Sequence, residues 1–194
     1  ETGRYVPCDI NKAIDYYLKA AYQNDKNAQY HLGMIYIKEN NVQHNIKKGI
    51  YFLKLASINR KKTAHFVLGF IYHEGRFLER DVDKAIHFYK EGSCIDDPFS
   101  KNNLGVIYKN GFGDKIQKNI KYACELFEEA IKKRNDRLSM YNLARIYFYD
   151  ESLRNNKKSI ELLIKSIKSG NIRFESSFLS LVLIHTFGFR IDEI

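Results

Sequence analysis

The chain has 194 residues, 44% of them hydrophobic and 28% charged, with 32 Lys and Arg against 23 Asp and Glu for a net charge of +9. These values exclude a disordered chain and fit one ordinary globular domain. No apolar run approaches the ~20 residues of a membrane span, and Cys8, Cys94 and Cys124 cannot all pair within one chain, so neither a spanning helix nor a disulfide framework is expected.

In chain order, residues 1–8 form an N-terminal extension. Its Glu1-Thr2-Gly3 reads as the scar of a secretion vector, to be set aside from the fold. That scar points to the secretory pathway, ER lumen or extracellular, with the cytoplasm as the alternative. A helix over 9–24 then opens at Asp9, the first of five Asx residues that recur as Asp9, Asn45, Asp81, Asn119 and Asn155. Asx is preferred at helix starts because its side chain accepts a first-turn N–H. Behind each Asx the apolar residues fall at helical spacing. The sixth residue is Ile14, Ile50, Ile86, Cys124 or Ile160; the eighth is Tyr16, Phe52, Phe88, Leu126 or Leu162; the ninth is Tyr17, Leu53, Tyr89, Phe127 or Leu163.

A second set of columns interleaves with these. Leu32-Gly33, Leu68-Gly69 and Leu104-Gly105 recur at 36 residues, followed by Leu143-Ala144 and Leu179-Ser180, and Tyr36, Tyr72, Tyr108 and Tyr147 stand four residues after the first four Leu. Glycine inside a helix is about 0.5–1 kcal/mol worse than Ala, so its recurrence requires a close helix–helix approach. Self-similarity at this period predicts stacked helical pairs. Repeats are expected near 26–59, 62–95, 98–134 and 136–170, then a last helix over 173–186 and a tail over 190–194, all one solenoid domain over 9–189 with about ten helices. Each repeat holds a helix A, which carries Leu-Gly, and a helix B, which follows the Asx. A two-residue insertion before Asn119 falls in a loop, where it is tolerated.

These columns resemble the Sel-one-like repeat (SLR), a relative of the tetratricopeptide repeat (TPR). Its pattern runs A-x-x-x-L-G-x-x-Y-x-x-G, a loop ending in Asp, then K-A-x-x-x-Y-x-x-A-A. Ala28, Leu32, Gly33 and Tyr36 match the first half, Gly111 the loop glycine, and Lys84, Ala85 and Tyr89, with Asp9, Lys12, Ala13, Tyr17, Ala20 and Ala21, the second. Leu68, Gly69, Tyr72, Leu104, Gly105 and Tyr108 repeat the same structural signature. Repeat four departs from it, with Ala144 for Gly and Asp150 near the loop glycine, and the last helix has Ser180 and Leu183 for Gly and Tyr. The resemblance implies an all-α fold, a right-handed α-α superhelix of helix-turn-helix repeats. It also implies adaptor work without catalysis or cofactor, as in family members that scaffold signalling complexes, bacterial virulence interactions and ER-associated degradation. One bacterial subgroup pairs two cysteines per repeat, which three cysteines do not supply.

Solenoids curve, and helix A usually lines the concave side. With Leu32, Ile35 and Tyr36 facing the core, the opposite face carries Tyr30, Phe66, Asn102 and Tyr141, with Met34, Phe70, Val106 and Arg145 one turn on. Aromatics, Met and Arg are enriched at interfaces, so Tyr30, Met34, Phe66, Phe70, Tyr141 and Arg145 are the candidate partner-binding residues. The same side chains would otherwise be ordinary core. A protein or peptide is the expected partner, with self-association through an exposed repeat end as a further expectation. The alternative is a regulatory domain that activates an attached or associated enzyme. The basic clusters Lys47-Lys48, Arg60-Lys61-Lys62, Lys132-Lys133-Arg134 and Lys157-Lys158 sit on B helices or the turns after them. They fall on a different face from the helix A aromatics, which argues against nucleic acid. His65 and His73 have no carboxylate or Cys in ligand spacing, so no metal site is expected.

Overall fold

The computed structural model describes residues 10–38, 45–112 and 115–169, with Phe178, Leu179, Val182 and Thr186. Among the described residues there are nine helices: α1 (Ile10–Tyr22), α2 (Lys26–Ile37), α3 (Ile46–Ile58), α4 (Lys62–Glu74), α5 (Val82–Cys94), α6 (Pro98–Asn110), α7 (Ile120–Arg134), α8 (Arg137–Tyr149) and α9 (Asn156–Lys168). The even-numbered helices are the A helices and the odd-numbered the B helices. The extension over 1–8, Asp9 and the tail lie outside the described residues. So does most of the expected helix over 173–186, of which Phe178, Leu179, Val182 and Thr186 are helical. The chain forms two compact units, Glu1–Glu91 and Gly92–Ile194.

Two hydrogen bonds recur at every described A-to-B loop. The Asx side chain accepts from the backbone N–H three residues on: Asn45 from Lys48, Asp81 from Lys84, Asn119 from Tyr122 and Asn155 from Lys158, all at 3.0 Å. Its own N–H donates back to the repeat tyrosine's carbonyl, Asn45 to Tyr36, Asp81 to Tyr72, Asn119 to Tyr108 and Asn155 to Tyr147, at 2.7–2.9 Å. One residue therefore starts helix B and closes the end of helix A. The longer third loop is absorbed between these fixed points, where the Phe112 N–H donates to the Ile116 carbonyl.

A second Asx series, not read from the sequence, caps the A helices. Asp25, Asp97 and Asp136 accept from Ala28, Ser100 and Ser139, whereas Lys61 caps α4 without a side-chain bond. The residue before each of these is left-handed: Asn24, Arg60, Asp96 and Asn135, with φ of 62°, 58°, 60° and 51°. In the first three turns the next N–H reaches back to Ala20, Ala56 or Gly92, the carbonyls of a small-residue column, which is the Schellman closure of a helix end.

The glycine column has a packing cause. A Cβ added to Gly33 would lie 2.6 Å from Leu53 Cγ, one on Gly69 2.5 Å from the Tyr89 ring, and one on Gly105 2.8 Å from the Phe127 ring. Leu53, Tyr89 and Phe127, the ninth-position residues of helix B, are fully buried. The fourth repeat uses Ala144 with Leu163, which share a core cluster, and adds a bond from the Ser159 hydroxyl to the Ala144 carbonyl at 2.9 Å. The eighth-position residues pack on the tyrosine column, with Phe52 stacked on Tyr36 and Phe88 on Tyr72 at 5.9 and 5.8 Å. Tyr16, expected in the same core column, is instead 71% exposed. Among the described residues α1 has no helix A before it to supply the ring that Phe52 and Phe88 cover.

In the second unit a buried lysine ties one turn to two helices. The Lys101 side chain is only 7% exposed and donates to Asp96 at 2.9 Å and Glu129 at 2.6 Å; Lys133 reaches Asp96 at 3.3 Å. Burial pulls Lys101 down most strongly, but its bonds to Glu129 and Asp96 together raise it above the ordinary lysine value. Hydrogen bonds from Lys101 and then Lys133 hold Asp96 below the usual carboxylate range.

Three outcomes are expected. Gly69→Ala destabilises by about 1–3 kcal/mol through overpacking, and the loss is smaller in a Tyr89→Leu background, measured as a double-mutant cycle in denaturant. Arg60→Asn, at a left-handed position that Asx occupies in the other three turns, stabilises by roughly 0.5–1 kcal/mol. Because the Asp96 carboxyl is depressed, its stabilisation is present above the ordinary aspartate pKa of ~3.9 and is lost as pH falls through the lower folded value. Asp96→Asn therefore lowers Tm at pH 7, and the difference from the native protein disappears on acidification.

Candidate functional site

The six candidate side chains separate into four settings. In the first unit Phe66 and Phe70 lie with ring centroids 6.0 Å apart, Phe66 half-buried and Phe70 46% exposed. Tyr30 packs against a core cluster with Lys61 over its ring at 5.4 Å. Met34, 38% exposed, lines a hollow of about 380 Å³ with His31, Ile35, Ile37, Lys38, Arg76 and Phe77. In the second unit Arg145 lies over Tyr141 at 5.7 Å and over Tyr149 at 5.9 Å. Tyr141 also packs edge-on against Phe178, which joins it to the local core.

Asn102 does not belong to an open face. It is buried, and its side-chain carbonyl accepts from the Ser139 hydroxyl at 3.2 Å and the Asn142 amide at 3.1 Å. Polar partners from α8 keep it between helices. The column one turn on is the outward one: Met34, Phe70 and Arg145 are exposed and Val106 half-buried, whereas the Leu and Gly positions between the two columns are core.

Part of the basic charge has a structural use. The residue three after each Asx covers the repeat tyrosine. Lys48 lies over Tyr36, Lys84 over Tyr72 and Lys158 over Tyr147 at 5.3–5.6 Å, while Tyr122 meets Tyr108 edge-on at 4.8 Å. A cation over an aromatic face contributes about 0.5–1 kcal/mol at an exposed site. Arg134 lies over Phe99 in the same manner. Cys94 is an exposed free thiol and Cys124 a buried one, which burial pushes up to about 11. Among the described residues no group of three or more His, Cys, Asp or Glu could hold a metal, and no helix is long and apolar enough to cross a membrane.

Sequence reasoning missed one charged cluster. A hollow of about 400 Å³ is lined by Lys109 and Asn110 at the end of α6, Lys118 and Ile120 around the start of α7, and Arg145, Ile146, Tyr149 and Asp150 at the end of α8. Lys109 is held below the ordinary lysine value by burial and then by Arg145. The sequence carried a faint signal: Lys109 stands in a column otherwise held by Ile37, His73 and Phe148.

Comparison with known proteins agrees with this geometry. The family model for the Sel1 repeat matches residues 1–25, 26–59, 63–95, 98–135 and 137–171. Among curated proteins nothing matches. A Sel1 repeat protein from Oxalobacter formigenes superposes with a TM-score of 0.80 at 22% identity, over 92% of this chain and 72% of that one. The protective antigen c5321 of uropathogenic Escherichia coli, which has an SLR fold, gives 0.81 at 23% identity over 93% of this chain and 38% of its own length. Cysteine-rich protein B of Helicobacter pylori gives 0.53 at 28% identity, over 71% and 97%. The fold is therefore the all-α repeat fold of SLR solenoids. Sel1 repeat proteins are generally protein-interaction scaffolds and typically non-catalytic. With matched repeats running through nearly all of its length, the chain belongs to the Sel1 repeat family.

Proposed function

We propose that the chain is a non-catalytic adaptor that holds a segment of another protein against the outward residues of its A helices. One observation carries the reading: within a nearly constant frame, the helix A column Met34, Phe70, Val106 and Arg145 is variable, and three of its four members are exposed. A frame that fixes Leu, Gly and Tyr while the adjacent outward position changes presents different chemistry at each repeat. Repeat arrays use such extended surfaces for binding. The residue types fit, since aromatics, Met and Arg anchor interfaces beyond their share of the surface.

Affinity capture from the source organism with the native chain, followed by direct titration of the captured partner, tests this. Phe66→Ala/Phe70→Ala is expected to weaken the complex by about 2 kcal/mol, roughly 30-fold, while the circular dichroism melt shows a folded protein. Unchanged partner affinity in the folded variant would sink the assignment.

A further inference from the structure

We propose that the hollow at the ends of α6 and α8 is an anion pocket that receives the carboxylate side chains of an acidic peptide. This rests on the adaptor reading and names the chemistry of one of its contacts. Three cations, Lys109, Lys118 and Arg145, line the hollow with Tyr149, Asn110 and a single carboxylate, Asp150. Asp150 is engaged in its own turn, where it accepts from the Ser152 amide at 3.1 Å and the Ser152 hydroxyl at 2.5 Å. Among the described residues no carboxylate forms an ion pair with Lys109 or Arg145. Arg145 is held in place by the rings of Tyr141 and Tyr149.

Cations at helix C-termini ordinarily offset the macrodipole. Here two terminal carbonyls of each helix already have backbone partners: Ile107 and Tyr108 accept from Gly111 and Asn119, and Ile146 and Tyr147 from Asp150 and Asn155. What is left is a half-buried lysine facing a second cation, an arrangement that burial and like charge both disfavour. A bound carboxylate removes both penalties, and the Arg145 guanidinium suits bidentate pairing with it. A peptide fits better than a nucleic acid. Lys109, Lys118 and Arg145 gather around one confined hollow, whereas a phosphate backbone follows an extended track of cations.

Fluorescence anisotropy with labelled octaglutamate, and octaglutamine as its uncharged match, tests the pocket on the whole chain. Octaglutamate is expected to bind and octaglutamine not. Lys109→Met/Arg145→Gln should weaken binding about tenfold or more, and each single change should weaken it partly. Lys165→Gln/Lys168→Gln, which removes the same charge from an exposed part of α9, should change it less than about twofold. Circular dichroism verifies that each variant is folded. Absence of octaglutamate binding overturns the proposal. So does equal loss in the two double variants, which would mean diffuse attraction to the net charge. An oligouridylate that binds as tightly and depends equally on Lys109 and Arg145 overturns the peptide assignment. If octaglutamate fails while Phe66→Ala/Phe70→Ala still loses its partner, the pocket falls and the adaptor reading stands; the converse result removes the adaptor reading alone.

Discussion

Everything in this repeat depends on a side chain that is not there. Gly33, Gly69 and Gly105 leave the space into which Leu53, Tyr89 and Phe127 insert, and each of those residues comes from helix B of the same repeat. A helix-interior glycine is unfavourable by about 0.5–1 kcal/mol. Full burial of a Leu or an aromatic side chain contributes about 1.5–3 kcal/mol, so the exchange favours the pair. The same contact sets how closely A and B approach, and so where the neighbouring columns fall. Tyr36 and Tyr72 can then stack on Phe52 and Phe88. Repeat four reaches the same closeness differently, with Ala144 beside Leu163 and a serine hydroxyl on the Ala144 carbonyl.

The second constraint is the doubly used Asx residue. Its side chain starts helix B, and its N–H closes helix A on the tyrosine carbonyl. With both ends of the loop pinned, the number of residues between them matters little, and the lengthened third loop leaves the same two bonds in place. Loop length can therefore vary without moving a core residue, which confines variation to the surface.

Charge follows from the same frame. Much of a +9 balance invites a polyanion reading, yet Lys48, Lys84 and Lys158 lie over repeat tyrosines and Arg134 over Phe99. The lysine of the repeat pattern is thus a ring cover. Lys101 is neutralised by Asp96 and Glu129 within the turn it stabilises. Lys109 differs from these in being half-buried beside a second cation, Arg145, which burial and like charge both disfavour.

The sequence by itself determined the period, the alternation of A and B helices, the Asx starts of the B helices and most of the core columns. Those features are local: helical spacing, capping and small-residue recurrence act within a few residues of one another. Tertiary structure decided which members of a column keep their role. Asn102 shares a column with Tyr30 and Phe66 but is buried by polar groups of α8, and Tyr16 shares one with Phe52 but has, among the described residues, no helix A ring before it to cover. The caps Asp25, Asp97 and Asp136 were visible as residues but not as a column, because Lys61 interrupts it. The pocket of Lys109, Lys118 and Arg145 left only a faint mark in the sequence, the lysine in the column of Ile37, His73 and Phe148. Its members come from two A helices and the loop between α6 and α7, and only packing brings their charges within reach of one another.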